Sequence, residues 1–103
     1  MDEVLTDRFN RKILLSGIQW GHITTTHPEM KKYRKEAAET ISEPDLIRQS
    51  IYSKNVYIYY RYYPNILQGK YVAVVVRIDE DKFMITAYIT DKIKRGEEVW
   101  KKD

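Results

Sequence analysis

From Ser50 onward the hydrophobic pattern of the chain changes period, and the three runs that follow limit what it can fold into. Val56–Tyr63 is dense in β-branched and aromatic residues, which suit a pleated surface. Residues 71–78 are apolar on both faces at positions 72–76, as in a strand covered on two sides and therefore central in its sheet. Residues 83–90 make a third run. Pro64-Asn65 and Gln68-Gly69 bound the first loop and residues 79–82 form the second, and links this short favour antiparallel neighbours.

Alternation within the third run assigns its side chains. Phe83, Ile85, Ala87 and Ile89 fall on one face as a core stripe, and Met84, Thr86, Tyr88 and Thr90 fall on the other. Hydroxyls in register on one face exceed what strand propensity alone explains. The same parity groups Tyr57, Tyr59, Arg61 and Tyr63 in the first run. If that group shares the face of Thr86 and Tyr88, the sheet presents a cation among hydroxyls and rings.

The first half reads as helical. Residues 1–10 are polar and are read as a flexible arm, and residues 12–16 suit either a short strand or a helix start. Trp20 and Ile23 share a helical face within residues 19–25, until the run Thr24-Thr25-Thr26 interrupts it. Thr26-His27-Pro28-Glu29 begins a helix, with Pro in the first turn and an acid favoured by the helix dipole. Met30, Tyr33, Ala37 and Ile41 then recur at helical spacing. Glu43-Pro44-Asp45 ends that helix and opens a short second one through Leu46 and Ile47.

At 103 residues the chain has room for one domain, 1–103, and nothing in it reads as a linker or repeat. Without cysteine there are no disulfides and no thiolate chemistry, which fits a cytoplasmic location. No apolar run approaches the roughly 20 residues that cross a bilayer, so a membrane is not an expected partner. The opening Met1-Asp2-Glu3 is acidic where a signal peptide is basic. A net charge of +3 is too mild for a non-specific DNA coater and sufficient for a local RNA-binding patch.

His22 and His27 are the only histidines. Five residues apart on a continuous helix they diverge by about 140°, so they do not chelate one ion, and no metal is expected. Either one suits acid–base work near neutral pH. Equally, His27 suits a helix cap and His22 packing beside Trp20. Arg61 fits a phosphate as well as it fits an edge-strand charge. Thr86 and Thr90 serve as β-formers, and Tyr88 as a cross-strand packing partner. Lys92, Lys94 and Trp100 belong to a basic end that suits RNA contact or a solvated tail. No phosphate-cradling Gly loop or dinucleotide fingerprint is present, so no cofactor and no nucleotide is expected.

Trp20-Gly21-His22-Ile23, His27-Pro28-Glu29, Pro44-Asp45, Val74-Val75-Val76 and Ile85-Thr86-Ala87-Tyr88, in that order, resemble the small phage-associated nuclease domains grouped with barnase and RelE, over roughly residues 12–101. The resemblance implies an α+β fold of N-terminal helices packed on a four-stranded antiparallel sheet. It also implies metal-independent RNA cleavage by attack of the ribose 2′-hydroxyl, in a toxin or phage effector restrained by an antitoxin or immunity protein. His22, His27, Thr86 and Tyr88 match its motif, and Arg61 is added on its chemistry. Trp20, Thr90, Lys92, Lys94 and Trp100 are expected to hold substrate. The other expectation is a non-catalytic RNA-binding or protein-interaction module on the same scaffold.

Overall fold

The computed structural model describes residues 2–103, so Met1 of the expected arm lies outside the described residues. Its centre is the antiparallel trio that the sequence marks, β4 (Val56–Tyr63), β5 (Lys70–Ile78) and β6 (Lys82–Thr90). Four further strands extend it: β1 (Glu3–Thr6), β2 (Lys12–Leu15), β3 (Leu46–Ser50) and β7 (Gly96–Lys101). The resulting seven-stranded sheet has the order β1-β2-β6-β5-β4-β3-β7, with β5 in the middle. It is mixed, because β2 meets β6 in parallel at Leu14 and Phe83.

This corrects the expectation of helices on a four-stranded antiparallel sheet. The strands that sequence reasoning missed are short or polar. Glu3–Thr6, read as part of an arm, pairs with β2 along its length. Leu46 and Ile47 begin β3 rather than a second helix: Leu46 and Ile47 face Tyr60 and Tyr59 of β4, and the opposite edge of β3 is taken by β7. Strand β7, read as a basic tail, alternates too weakly to announce itself.

Ser16 starts helix α1 (Gly17–Thr26), its hydroxyl accepting from the Gln19 amide at 3.0 Å. The threonine run does not interrupt this helix. Thr24 and Thr25 donate back to the carbonyls of Trp20 (3.0 Å) and Gly21 (2.8 Å), which satisfies the hydroxyls inside the helix. The helix expected from Pro28 is divided. A 3₁₀ helix (Pro28–Lys32) ends at Tyr33, and α2 (Arg34–Ser42) follows. Met30, Ala37 and Ile41 still face inward, all fully buried.

These helical pieces cover one face of the sheet. The main core joins Ile23, Met30, Ala37 and Ile41 to Tyr59, Val72, Val74, Val76 and Met84. A smaller cluster on the opposite face holds Leu46, Ile58, Tyr60 and Ala73, with Tyr71, Val75, Tyr88 and Ile93 packed against it. The link from β6 to β7 crosses that second face as a strap. Its backbone is held by Tyr60, whose hydroxyl accepts from the Lys94 amide at 3.0 Å, and by Arg48, which donates to the Lys94 carbonyl at 3.1 Å. No helix among the described residues is long and apolar enough to cross a membrane.

Candidate nucleic-acid interface

A β-bulge sets the dressing of the strapped face. Val75 pairs with Thr86, but Val76 pairs with Met84, so Ile85 is an extra residue and the alternation slips by one. Met84 therefore joins the helix-side core with Ala87, and the expected stripe of Phe83, Ile85, Ala87 and Ile89 is broken at its start. Beyond the bulge, Thr86, Tyr88 and Thr90 pair with Val75, Ala73 and Tyr71 and share the strapped face.

Tyr57, Tyr59, Arg61 and Tyr63 pair with Val76, Val74, Val72 and Lys70, which puts them on the helix side. Arg61 is thus absent from the face of Thr86 and Tyr88. Its Nη1 donates to the Glu43 carbonyl at 2.6 Å, and its Nε lies 3.9 Å from Glu39 Oε1. Of the cations on the strapped face, the one against Tyr88 is Lys94, whose ammonium sits 5.3 Å from the ring centre.

His27 reaches this face from the helical side. Beyond Leu14 and Phe83 the edge of β6 that faces away from β5 has no strand partner, and α1 lies along it, with Gln19 bonded to the Ile85 carbonyl. The helix closes at His27, whose amide donates to the Ile23 carbonyl at 2.7 Å. There the imidazole tilts against Tyr88 with ring centres 5.6 Å apart. Its Nδ1 is 3.7 Å from Glu29 Oε2, and about a third of its side chain is open to solvent (32%). His27 does not serve as a side-chain helix cap.

The Tyr88 hydroxyl is buried and without a hydrogen-bond partner. Burial raises its pKa, with the nearby Tyr60 hydroxyl acting in the opposite direction. It therefore stays protonated at neutral pH. Tyr60 is raised for the same first reason, burial. Next to them on the strapped face, Tyr62 and Tyr71 meet edge to face at 5.3 Å, and Tyr62 is exposed.

The remaining sequence candidates separate. His22 is exposed on α1. Trp20 packs on the helix-side core under the Arg34 guanidinium, 5.3 Å from its ring centre. Trp100 packs against the same core with Arg8 at 5.0 Å. The Thr90 hydroxyl is taken up locally, accepting from the Lys92 amide at 3.0 Å, and Lys92 itself is exposed. Thus His27, Thr86, Tyr88 and Lys94 come together at one rim, while His22, Arg61, Trp20 and Trp100 lie elsewhere. No group of three or more His, Asp or Glu placed to hold a metal ion occurs among the described residues.

Sequence reasoning also missed a buried polar network. Asp7 is nearly inaccessible; its Oδ2 accepts from Tyr59 Oη (2.6 Å) and Arg11 Nε (2.8 Å), and its Oδ1 from the amides of Phe9 and Arg11. Every lone pair is used, so this cluster clamps the β1–β2 turn and is not a reactive site. The Asp-x-x-x-Arg spacing from Asp7 to Arg11 was its one trace in the sequence. Comparison of the chain with protein-family models, with curated proteins and with solved structures finds no match.

Proposed function

We propose that the strapped face binds single-stranded RNA and that His27 makes it a metal-independent ribonuclease. The observation that carries this reading is His27 against Tyr88, at the rim shared with Lys94 and Thr86. Cleavage by the neighbouring 2′-hydroxyl needs a group that moves a proton and a donor for the charge on the phosphoryl oxygens. His27 takes the proton from the 2′-hydroxyl and, as the imidazolium, returns one to the departing 5′-oxygen, with the Glu29 carboxylate near its Nδ1. Lys94 and the Thr86 hydroxyl are the donors. Tyr88 is a positioning residue, because its ring holds His27 and its hydroxyl is buried. Exposed Tyr62 beside Tyr71 offers rings for unpaired bases, a mode of binding that tolerates any sequence.

Binding without cleavage is the second reading. It is favoured by the position of Arg61 and His22, which leaves one histidine and one lysine at the site. Under either reading a cytoplasmic location fits a cysteine-free chain, and an antitoxin or immunity protein would act by covering the strapped face.

The test is product chemistry. Purified protein in excess chelator is expected to cut a labelled oligoribonucleotide and leave cyclic phosphate ends. A single 2′-deoxy substitution on the 5′ side of the cut is expected to abolish that cut. Cleavage that survives the substitution, or that needs added metal, overturns the mechanism. Retained binding with no cleavage leaves the binding module.

A further inference from the structure

A cleft away from the strapped face gathers two of the expected site residues that the rim leaves out. Its volume is about 780 Å³, and Arg61 and Trp100 both line it. The elements meet there for local reasons. Pro44 ends α2 and turns the chain into β3, β7 returns along β3 to bring Trp100 opposite Ile47, and the β1–β2 turn is fixed by the Asp7 network.

The lining chemistry is that of an anion site. Arg8, Arg61, Lys101 and Lys102 contribute cations, against exposed Glu43 and Asp103; Asp7 is already neutralised by Arg11. Arg61 has spare capacity. Its Nη1 is bonded to a carbonyl and its Nε is shielded from solvent, which leaves Nη2, without a hydrogen bond, as the donor open to the cleft. The nearest carboxylate oxygen, Glu39 Oε1, is instead held by the Tyr63 hydroxyl at 2.6 Å. Arg8 lies on the Trp100 ring, which fixes a second guanidinium at the wall. Two guanidinium groups on one cleft suit the planar, two-pronged bonding of a phosphate better than single-point charges do.

We propose that this cleft binds a phosphomonoester, with Arg61 and Arg8 as its principal donors and Lys101 and Lys102 at its mouth. The site is independent of the ribonuclease reading and stands if that reading fails. Its ligand is either a small phosphorylated molecule or the 5′-phosphate end of a nucleic-acid strand, which share this chemistry.

Trp100 is the reporter, read by fluorescence in a Trp20→Phe background at constant ionic strength, so that general screening is held fixed. Inorganic phosphate and adenosine monophosphate are expected to change the emission saturably, and adenosine is expected to leave it unchanged. Arg61→Lys keeps the charge and loses the fork, and is expected to weaken adenosine monophosphate binding roughly 10-fold. Lys102→Gln, at an exposed position, is expected to weaken it by a smaller factor and does not put the fold at risk. A 5′-phosphorylated oligoribonucleotide binding more tightly than its 5′-hydroxyl twin identifies a strand end as the ligand; equal affinity of the two, with adenosine monophosphate bound, identifies a small phosphorylated molecule. No saturable response, a response to adenosine equal to that of its monophosphate, or full affinity in both variants overturns the site.

Discussion

Individual side chains in this molecule divide into those that are satisfied and those with chemistry left over. Tyr59 belongs to the first kind. Its hydroxyl donates to buried Asp7 and accepts from Arg11 at 3.1 Å, so it completes a charged network under the sheet. Tyr59→Phe leaves the carboxylate one donor short and is expected to cost about 2 kcal/mol, read as a lower urea midpoint at pH 7. Alkaline pH supplies an independent check. Burial first, and then Asp7, raise the Tyr59 phenol well above its ordinary value; burial and Glu39 do the same to Tyr63. The folded state therefore holds these protons more tightly than the unfolded state does. Their contribution is complete below about pH 10, the unfolded value, and is lost as pH rises toward the folded values. Tyr59→Phe is expected to flatten that decline, and an unchanged slope removes Tyr59 from the linkage. The histidines show how far single residues were readable. His22 and His27 are equivalent by type, and only the closure of α1 at His27 separates them, because it turns one imidazole onto Tyr88 and leaves the other in solvent.

Elements were legible where their pattern was long. The three strands β4 to β6 alternate or run apolar over eight residues or more, and the central place of β5 follows from apolar character on both faces. Strands β1, β2 and β3 span four or five residues, too few to separate period 2 from period 3.6. Leu46-Ile47 after Pro44-Asp45 accordingly resembled a helix start. The bulge at Ile85 was illegible for a different reason: only pairing with β5 reveals an extra residue, and with it the inward turn of Met84. Helix α1 tests the element scale most simply. Its hydrophobic face is small, with Ile23 and Thr24 its buried residues, so the Ser16 cap carries a sizeable share of its stability. Ser16→Ala is expected to cost about 1 kcal/mol and to raise amide exchange across residues 17–26. Because α1 delivers His27, the same variant is expected to lower RNA cleavage without touching the rim itself. Unaltered exchange in α1 contradicts that link.

Across the whole molecule, a mixed sheet with helices on one side leaves two surfaces of different chemistry. The helix side supplies the main core and the cationic cleft of Arg61 and Trp100, and the opposite side carries the strap and the His27 rim. The sequence offered one of the two histidines, with Arg61, Thr86 and Tyr88 around a phosphate, as the site, and left the register between β4 and β6 open. Parity in β4 separates Arg61 from Thr86 and Tyr88 by the thickness of the sheet, a distinction that register alone fixes. The central claim is that the His27 rim moves the proton when RNA is cut. It is tested most directly by cleavage of labelled RNA in excess chelator, with wild type, His27→Ala and His22→Ala compared at equal folded concentration. The account predicts cleavage by wild type and His22→Ala, and a loss of 100-fold or more, on the order of what a positioned acid–base group supplies, for His27→Ala. Equal cleavage by all three proteins, or loss in His22→Ala alone, contradicts it.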